Sequence, residues 1–307
     1  MDANMTFEQF RDHYNSEEVC AQTLFSIRWP EGFRCPRCEH RQFYRVQSRR
    51  LPLFECRSCR KQTSLIAGTI LEGSRTPLRL WFQALFLHAQ PQGISALRLS
   101  VVLGTTYKTA WLICHKIRHA MSKAETSKLL TGIVRVNCGV YGRPYNPTIY
   151  RHPQEHPLLI GATMDNDCQI SCIKIKQISD EHLSYDRITP MGSHDFVQQH
   201  VDPSVADIHV VIQKFSLHRH WPLIQLCKRA SNWLNYSFNG IGAKHLQSYL
   251  DQFCFGFNLA QDNTNPLEFL FRYCASTRTL NYPALISRDD RSAHHKRNYF
   301  SSLKYAS

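Results

Sequence analysis

Two C-x-x-C pairs, Cys35-Pro36-Arg37-Cys38 and Cys56-Arg57-Ser58-Cys59, have 17 residues between them. Each pair makes a tight turn that aims two sulfurs at one point, and two pairs at this separation are the sequence form of a four-thiolate zinc site. The chemistry expected of Cys35, Cys38, Cys56 and Cys59 is therefore structural: a bound zinc ion supplies folding energy to a unit with little core of its own. Two disulfides, or four merely buried thiols, would use the same residues. The other eight cysteines, Cys20, Cys114, Cys138, Cys168, Cys172, Cys227, Cys254 and Cys274, show no framework spacing, which suits a reducing compartment.

Charge around the cysteines is lopsided. Residues 28–62 carry ten Arg or Lys against three Glu. A zinc tetrathiolate is itself about −2 and offsets part of that excess, but a positive surface remains. Arg41, Arg45, Arg49 and Arg50, beside Phe43, Tyr44 and Phe54, suit phosphate-backbone contacts with some base stacking. A solvated basic face without a partner has the same composition. The whole chain of 307 residues carries a formal net charge of +13, which points to a polyanionic partner. With 43% hydrophobic and 11% aromatic residues it reads as globular, with length for two or three domains. No apolar run approaches the roughly eighteen residues of a membrane span. Met1 to Gln9 lacks the basic start and apolar block of a signal peptide, so the expected location is cytoplasmic and nucleoid-associated, with no membrane partner. No P-loop, dinucleotide-binding glycine fingerprint, Gly-x-Ser-x-Gly elbow or His-Glu-x-x-His occurs.

The elements that must position these residues follow from periodicity. Met5 to Phe25 predicts a helix, with Asn15 to Glu18 able to cap a second stretch, and Trp29 to Phe33 ends it beside the zinc unit. Arg41–Val46 and Leu51–Glu55 predict two short strands with Gln47 to Arg50 as their turn. Thr76-Pro77 opens a helix to Ala89, Ser95 caps Ala96–Leu103, and Gly104-Thr105-Thr106 turns the chain into Tyr107–Lys123. Helix, glycine turn, helix is the helix-turn-helix pattern, with the last helix as the reader. Its Ala110, Trp111, Cys114, Ile117 and Met121 form the expected buried stripe. Lys108, Lys116 and Arg118, with His115 and His119, lie elsewhere on the helix and form a cationic face for DNA; an ordinary amphipathic helix has the same periodicity.

Beyond Leu129 the period changes. Strands are predicted at Gly132–Cys138, Leu158–Thr163 and Gln169–Lys176, the last two joined by a turn at Asp165 to Asp167. A helix at Ser193–His200 capped by Ser193, a strand at Ile208–Ile212, and helices at Trp221–Tyr236, Lys244–Phe255 and Asn265–Cys274 follow. Three antiparallel strands, a helix, another strand and then helices is the order of an RNase H-like α/β domain. The fold class is thus an α/β multidomain chain: a leader (1–30), a zinc ribbon (31–73), a helix-turn-helix region (74–125), a shortened RNase H-like domain (129–275) and a basic tail (276–307).

Several motifs together resemble zinc-ribbon insertion-sequence transposases of the ISXO-like group, in the DDE superfamily. They are Trp29-Pro30-x-Gly32-Phe33-x-Cys35-Pro36-x-Cys38 and Cys59-x-x-Gln62-Thr63-Ser64-x-x-Ala67-Gly68-Thr69, then Pro77-Leu78-x-x-Trp81-Phe82, Tyr107-Lys108-Thr109-Ala110-Trp111 and His115-Lys116-Ile117-Arg118. Lys244-His245-Leu246-Gln247-x-Tyr249-Leu250-Asp251 with Phe255-x-Phe257-Asn258 completes the set, and the resemblance spans roughly residues 6–272. It implies binding to double-stranded DNA at transposon ends, and DNA cutting and joining by two Mg²⁺ ions held by three acidic side chains. Hard cations about 3.5–4 Å apart need bridging anionic oxygens.

This chain departs from that pattern. Where the resemblance implies Gly-Ile-Val-Glu-Val-Asp-Glu, it has Gly132-Ile133-Val134-Arg135-Val136-Asn137-Cys138. The second acid falls near Val211 and the third near Trp221, seven residues before Lys228-Arg229. Only nine residues separate Val211 from Trp221, which suggests an internal deletion. Asn137, Val211 and Trp221 thus mark a degenerate triad, and Asp202, Asp207 and Asp251 read as surface acids rather than replacements. Lys228 and Lys244 would lie close to DNA in an intact relative.

The expected function is a transposase-derived DNA-binding protein without cleavage or strand transfer, with structural zinc as its cofactor. It would occupy transposon ends as a homo-oligomer or beside an intact transposase. The alternatives are an active transposase with displaced acids, which would need Mg²⁺, and a non-catalytic structural or adaptor protein.

Overall fold

The structure is a computed structural model and describes residues 5–46, 50–142, 152, 154–165, 167 and 169–286. The expected turn at residues 47–49, Asn166, Cys168 and the tail beyond 286 lie outside the described residues. No described helix is long and apolar enough to cross a membrane. The chain divides into two compact units, one of residues 1–128, 233–239 and 251–279, the other of 129–232, 240–250 and 280–307.

The first unit begins with two helices where one was expected, α1 (Phe7–His13) and α2 (Glu17–Arg28). The break is local chemistry. Thr6 and Gln9 form a capping box at the first start, and the Ser16 hydroxyl accepts from the Val19 amide at the second. Next comes a three-stranded antiparallel sheet, β1 (Phe43–Val46), β2 (Leu53–Cys56) and β3 (Gln62–Ser64). Phe43 is paired with Cys56 and Leu53 with Ser64. The third strand was not expected, because three residues are too few to show a period.

Helices α3 (Leu78–His88), α4 (Ala96–Leu103) and α5 (Tyr107–Ser127) follow. Gly104 ends α4 in the left-handed region at φ 62, and the Thr106 hydroxyl caps α5. The α9 helix (Pro266–Ser276), capped by Asn265, also belongs to this unit. It sets Phe271 4.7 Å from Phe82, and its Cys274 carbonyl accepts from the Ile70 amide. The core joins Trp81, Phe82, Leu85, Ile113, Ile117, Leu270 and Phe271.

The second unit is built on a four-stranded sheet of β4 (Ile133–Tyr141), β5 (His156–Met164), β6 (Ile170–Gln177) and β9 (Ile208–Val211), in the order β6-β5-β4-β9. The first three are antiparallel neighbours and β9 joins β4 in parallel. Residues 157–162 of β5 are all buried, so this central strand is covered on both faces. A short hairpin, β7 (Leu183–Ser184) with β8 (Arg187–Ile188), precedes α6 (Pro190–His200). The Ser193 cap predicted for α6 is replaced by Thr189, whose hydroxyl accepts from the Gly192 amide; proline at the first helical position lets the helix start earlier. Phe196 packs with Val134, Val136 and Leu159 against the sheet. Helices α7 (Trp221–Phe238), α8 (Ala243–Gln261) and a short α10 (Tyr282–Ile286) complete the described residues, α7 and α8 contributing residues to both units.

Candidate functional site

The two C-x-x-C turns adopt the same backbone. The Cys35 amide donates to the His40 carbonyl at 3.0 Å and the Glu39 amide to the Cys35 carbonyl at 2.9 Å. The second turn repeats this, Cys56 to Lys61 at 3.0 Å and Arg60 to Cys56 at 3.1 Å. Glu39 and Arg60, at matching positions, both take φ 59, which closes each knuckle. All four Sγ atoms lie within 4.8 Å of one another, with Cys35 to Cys59 at 3.5 Å and Cys38 to Cys56 at 3.6 Å. A tetrahedral zinc with bonds of about 2.3 Å sets its sulfurs roughly 3.8 Å apart, so donors and geometry fit structural zinc. Burial disfavours the Cys35 thiolate, but the amides of Arg37 and Cys38 and the neighbouring thiols outweigh it and bring the group down to about 7.

An aromatic cluster backs the knuckles. Phe25 and Trp29 at the end of α2 lie 5.1 and 5.3 Å from Phe54, with Phe33 and Phe43 around them. Arg28 spans from α2 to the loop after β3, donating to the carbonyls of Ser64, Leu65 and Ala67. One of the ten basic residues counted above is thus used inside the fold.

A second set of residues meets at the C-terminal end of the β4–β9 pair. Asn137 is fully buried and stands beside Val211 in the parallel register. Its amide nitrogen donates to the His220 carbonyl at 2.8 Å and its amide oxygen accepts from the His220 amide at 3.2 Å. His220 immediately precedes Trp221, which is 61% exposed, with the Lys228 ammonium 5.6 Å from its ring. Asn137 and Val211 thus stand side by side, and Trp221 follows directly on the residue that Asn137 bonds. Arg135 forks onto Asp207 at 2.5 and 3.0 Å, and Cys138 is buried. Asp202 accepts from the amide and hydroxyl of Ser204. Asp251, expected on the surface, is instead 5% exposed. An amide already used on both sides, an isopropyl group and an indole do not fit a pair of hard cations. Among the described residues, the four cysteines form the one group of three or more His, Cys, Asp or Glu arranged to share an ion.

Residues 15–62 match the family described as transposase zinc-ribbon domain. The match takes in α2, both knuckles and β1 and β2, so the chain is transposase-related through this ribbon. A curated protein from Halobacterium salinarum, described as an uncharacterized protein in transposable element ISH50, is 31% identical over 97 residues. That stretch covers 31% of this chain and 33% of the relative, so the match spans about a third of either protein. No solved structure matches.

The ribbon places the basic residues unevenly. Arg45 is exposed on β1; Arg41 is exposed and 3.9 Å from Glu31; Arg50 pairs with Glu17 at 3.0 Å; Arg49 lies outside the described residues. Phe43 and Phe54, expected to stack on bases, are taken up in the aromatic cluster, Phe54 at 3% exposure. Tyr44, the third of the expected stacking rings, is exposed, with Arg57 4.6 Å and Arg60 5.8 Å from its ring. This trio was legible only in part, since four strand residues do not reveal which side faces out.

On α5, Lys108 is exposed while the Lys116 ammonium donates to the Glu72 carbonyl at 3.2 Å. Arg118, expected on the open cationic face, is 1% exposed. Its guanidinium donates to Gln252 at 2.8 Å and lies over the Phe238 ring. The expectation fails because residues far along the chain cover that side of α5. His115 is buried as well. Lys228 and Lys244 are exposed on α7 and α8.

Proposed function

We propose that this chain is a transposase-derived protein that grips double-stranded DNA and does not cut or join it. The observation that carries the reading is a zinc-ready four-cysteine ribbon, matched to a transposase family, in a chain whose formal net charge is +13. Arg41, Arg45, Arg57 and Tyr44 on the ribbon, with Lys108 at the start of α5, are the side chains assigned to phosphate and base contacts. In this reading α4 and α5 are a helix-turn-helix, and the sheet order β6-β5-β4-β9 with its parallel fourth strand supports an RNase H-like second unit. The committed amide of Asn137, beside Val211, supports loss of the two-cation chemistry. The natural target is the end of an insertion element, held as a homo-oligomer or beside an intact transposase.

The test is direct. End-labelled and supercoiled DNA incubated with Mg²⁺ or Mn²⁺ stays uncut, while the same protein retards duplex DNA in a gel. Metal-dependent strand transfer would instead establish the active alternative with displaced acids, and no retardation at low salt would favour an adaptor role.

A further inference from the structure

Beyond the ends of β4 and β9 the second unit opens into a cavity of about 960 Å³. We propose that it is a binding site for a nucleoside phosphate, the base lying against Phe215 and the phosphate among Arg187, Lys214, Arg219 and Lys228. The site does not depend on the ribbon or on α5, and it reaches beyond duplex binding to a ligand that duplex contacts alone would not need.

Position, floor and charge each contribute. β9 runs parallel to β4 and is followed by a loop and α7, and α/β sheets hold ligands in the crevice beyond the carboxyl ends of such strands. The volume falls within the roughly 300–1,000 Å³ of small-ligand sites. Val140, Pro157, Ile188, Ile212 and Ile224 give it an apolar lining. Phe215 is 64% exposed, with the Lys214 ammonium 5.9 Å from its ring. An open aromatic face beside a cation is the pairing that stacks a base and holds its phosphate.

Four cations line the cavity against two carboxylates, Glu155 and Asp186. Glu155 is buried, 3.8 Å from Lys214, and also accepts from the His152 amide at 3.3 Å, so Lys214 and Glu155 offset one another and Arg187, Arg219 and Lys228 remain against Asp186. Asp186 sits in the β7–β8 turn at φ 61. Arg219 is held in place before any ligand arrives: it donates to the Lys214 carbonyl at 2.8 Å and to the Cys138 carbonyl at 3.0 Å. Its Nε–H is buried with no partner among the described residues, leaving one donor unused. Burial pushes the Cys138 thiol up, against the nearby charges of Arg219 and Lys214.

A nucleoside phosphate can be a free nucleotide or the phosphorylated end of a DNA strand. Full-length, zinc-loaded protein is titrated calorimetrically with dAMP, with inorganic phosphate, and with a single-stranded tetranucleotide bearing either a terminal phosphate or a terminal hydroxyl. The variants are Phe215→Ala and the double variant Arg187→Ala/Lys228→Ala, all at exposed positions, with thermal melts to verify folding. Saturable dAMP binding is expected, weakened about tenfold by loss of the ring and by a similar factor by loss of the two cations, with inorganic phosphate much weaker. Tighter binding of the phosphorylated tetranucleotide than of dAMP would identify a strand end as the ligand; equal or weaker binding would identify a free nucleotide. Absence of saturation by dAMP at millimolar concentration, or binding indifferent to both variants, overturns the proposal. Duplex retardation measured on Phe215→Ala and on Cys35→Ser keeps the two readings apart, because it depends on the ribbon: it is kept in the first and lost in the second.

Discussion

Asn137 spends both ends of its amide on the backbone of His220, and this bears on what a simple reversion would do. In Asn137→Asp one carboxylate oxygen still accepts from the His220 amide, but the other faces the His220 carbonyl where a donor stood. Buried, the charge meets an acceptor where a donor stood, so the variant is expected to lose roughly 2–4 kcal/mol of stability. Urea unfolding checks this, and DNA cutting is expected to stay absent. His88 gives a second residue-scale prediction. It is buried, its Nδ1 bonded to the Ala84 carbonyl at 2.8 Å. Burial first, and the Arg118 charge next, hold it down at about 3. Between the ordinary histidine value of about 6.5 and about 3, the unfolded chain binds a proton that the folded chain refuses. Stability therefore falls as pH drops through that window, and His88→Leu flattens the fall; denaturation midpoints between about pH 7 and 4 measure both.

At the scale of the element, the ribbon is a small sheet held by four metal ligands and by five aromatic rings packed behind them, Phe43 standing opposite Cys56. Loss of either should be felt across it. Cys35→Ser or Cys56→Ser is expected to remove the bound zinc, and a chelator to open residues 33–64 to protease, because most of such a unit's folding energy is metal binding. Cys20→Ser keeps zinc and DNA retardation, since Cys20 lies outside the cluster and contacts the Tyr14 carbonyl. Phe54→Ala is expected to cost about 3–5 kcal/mol by emptying the centre of the ring cluster. Metal analysis and limited proteolysis decide between these two modes of failure.

At the scale of the molecule, the excess of positive charge governs association. Duplex binding through about six phosphate contacts would weaken on the order of a thousandfold between roughly 50 and 200 mM salt. Replacing Arg41, Arg45 or Arg57 by Ala should lower the slope of log affinity against log salt by about one each, measured by retardation across a salt series. Arg118→Ala would act differently: with its side chain in the core, it should lower the melting temperature while leaving the slope unchanged once folding is restored by cooling.

The amino-acid sequence alone determined what depends on near neighbours. The spacing of Cys35, Cys38, Cys56 and Cys59, the Ser95 cap, the Gly104 turn and the apolar runs of β4 to β6 each act within a few residues, so the metal ligands and most elements could be read directly. It also showed that no carboxylate stands at Asn137, Val211 or Trp221. Tertiary structure decided whatever turns on partners distant in the chain. That Arg118 is covered by Gln252 and Phe238, that Phe43 and Phe54 serve a core and leave Tyr44 outside, that α9 returns to the first unit, and that four cations converge on one cavity are outcomes of packing. Periodicity tells which side of a helix is apolar; it does not tell which distant segment will bury the other side.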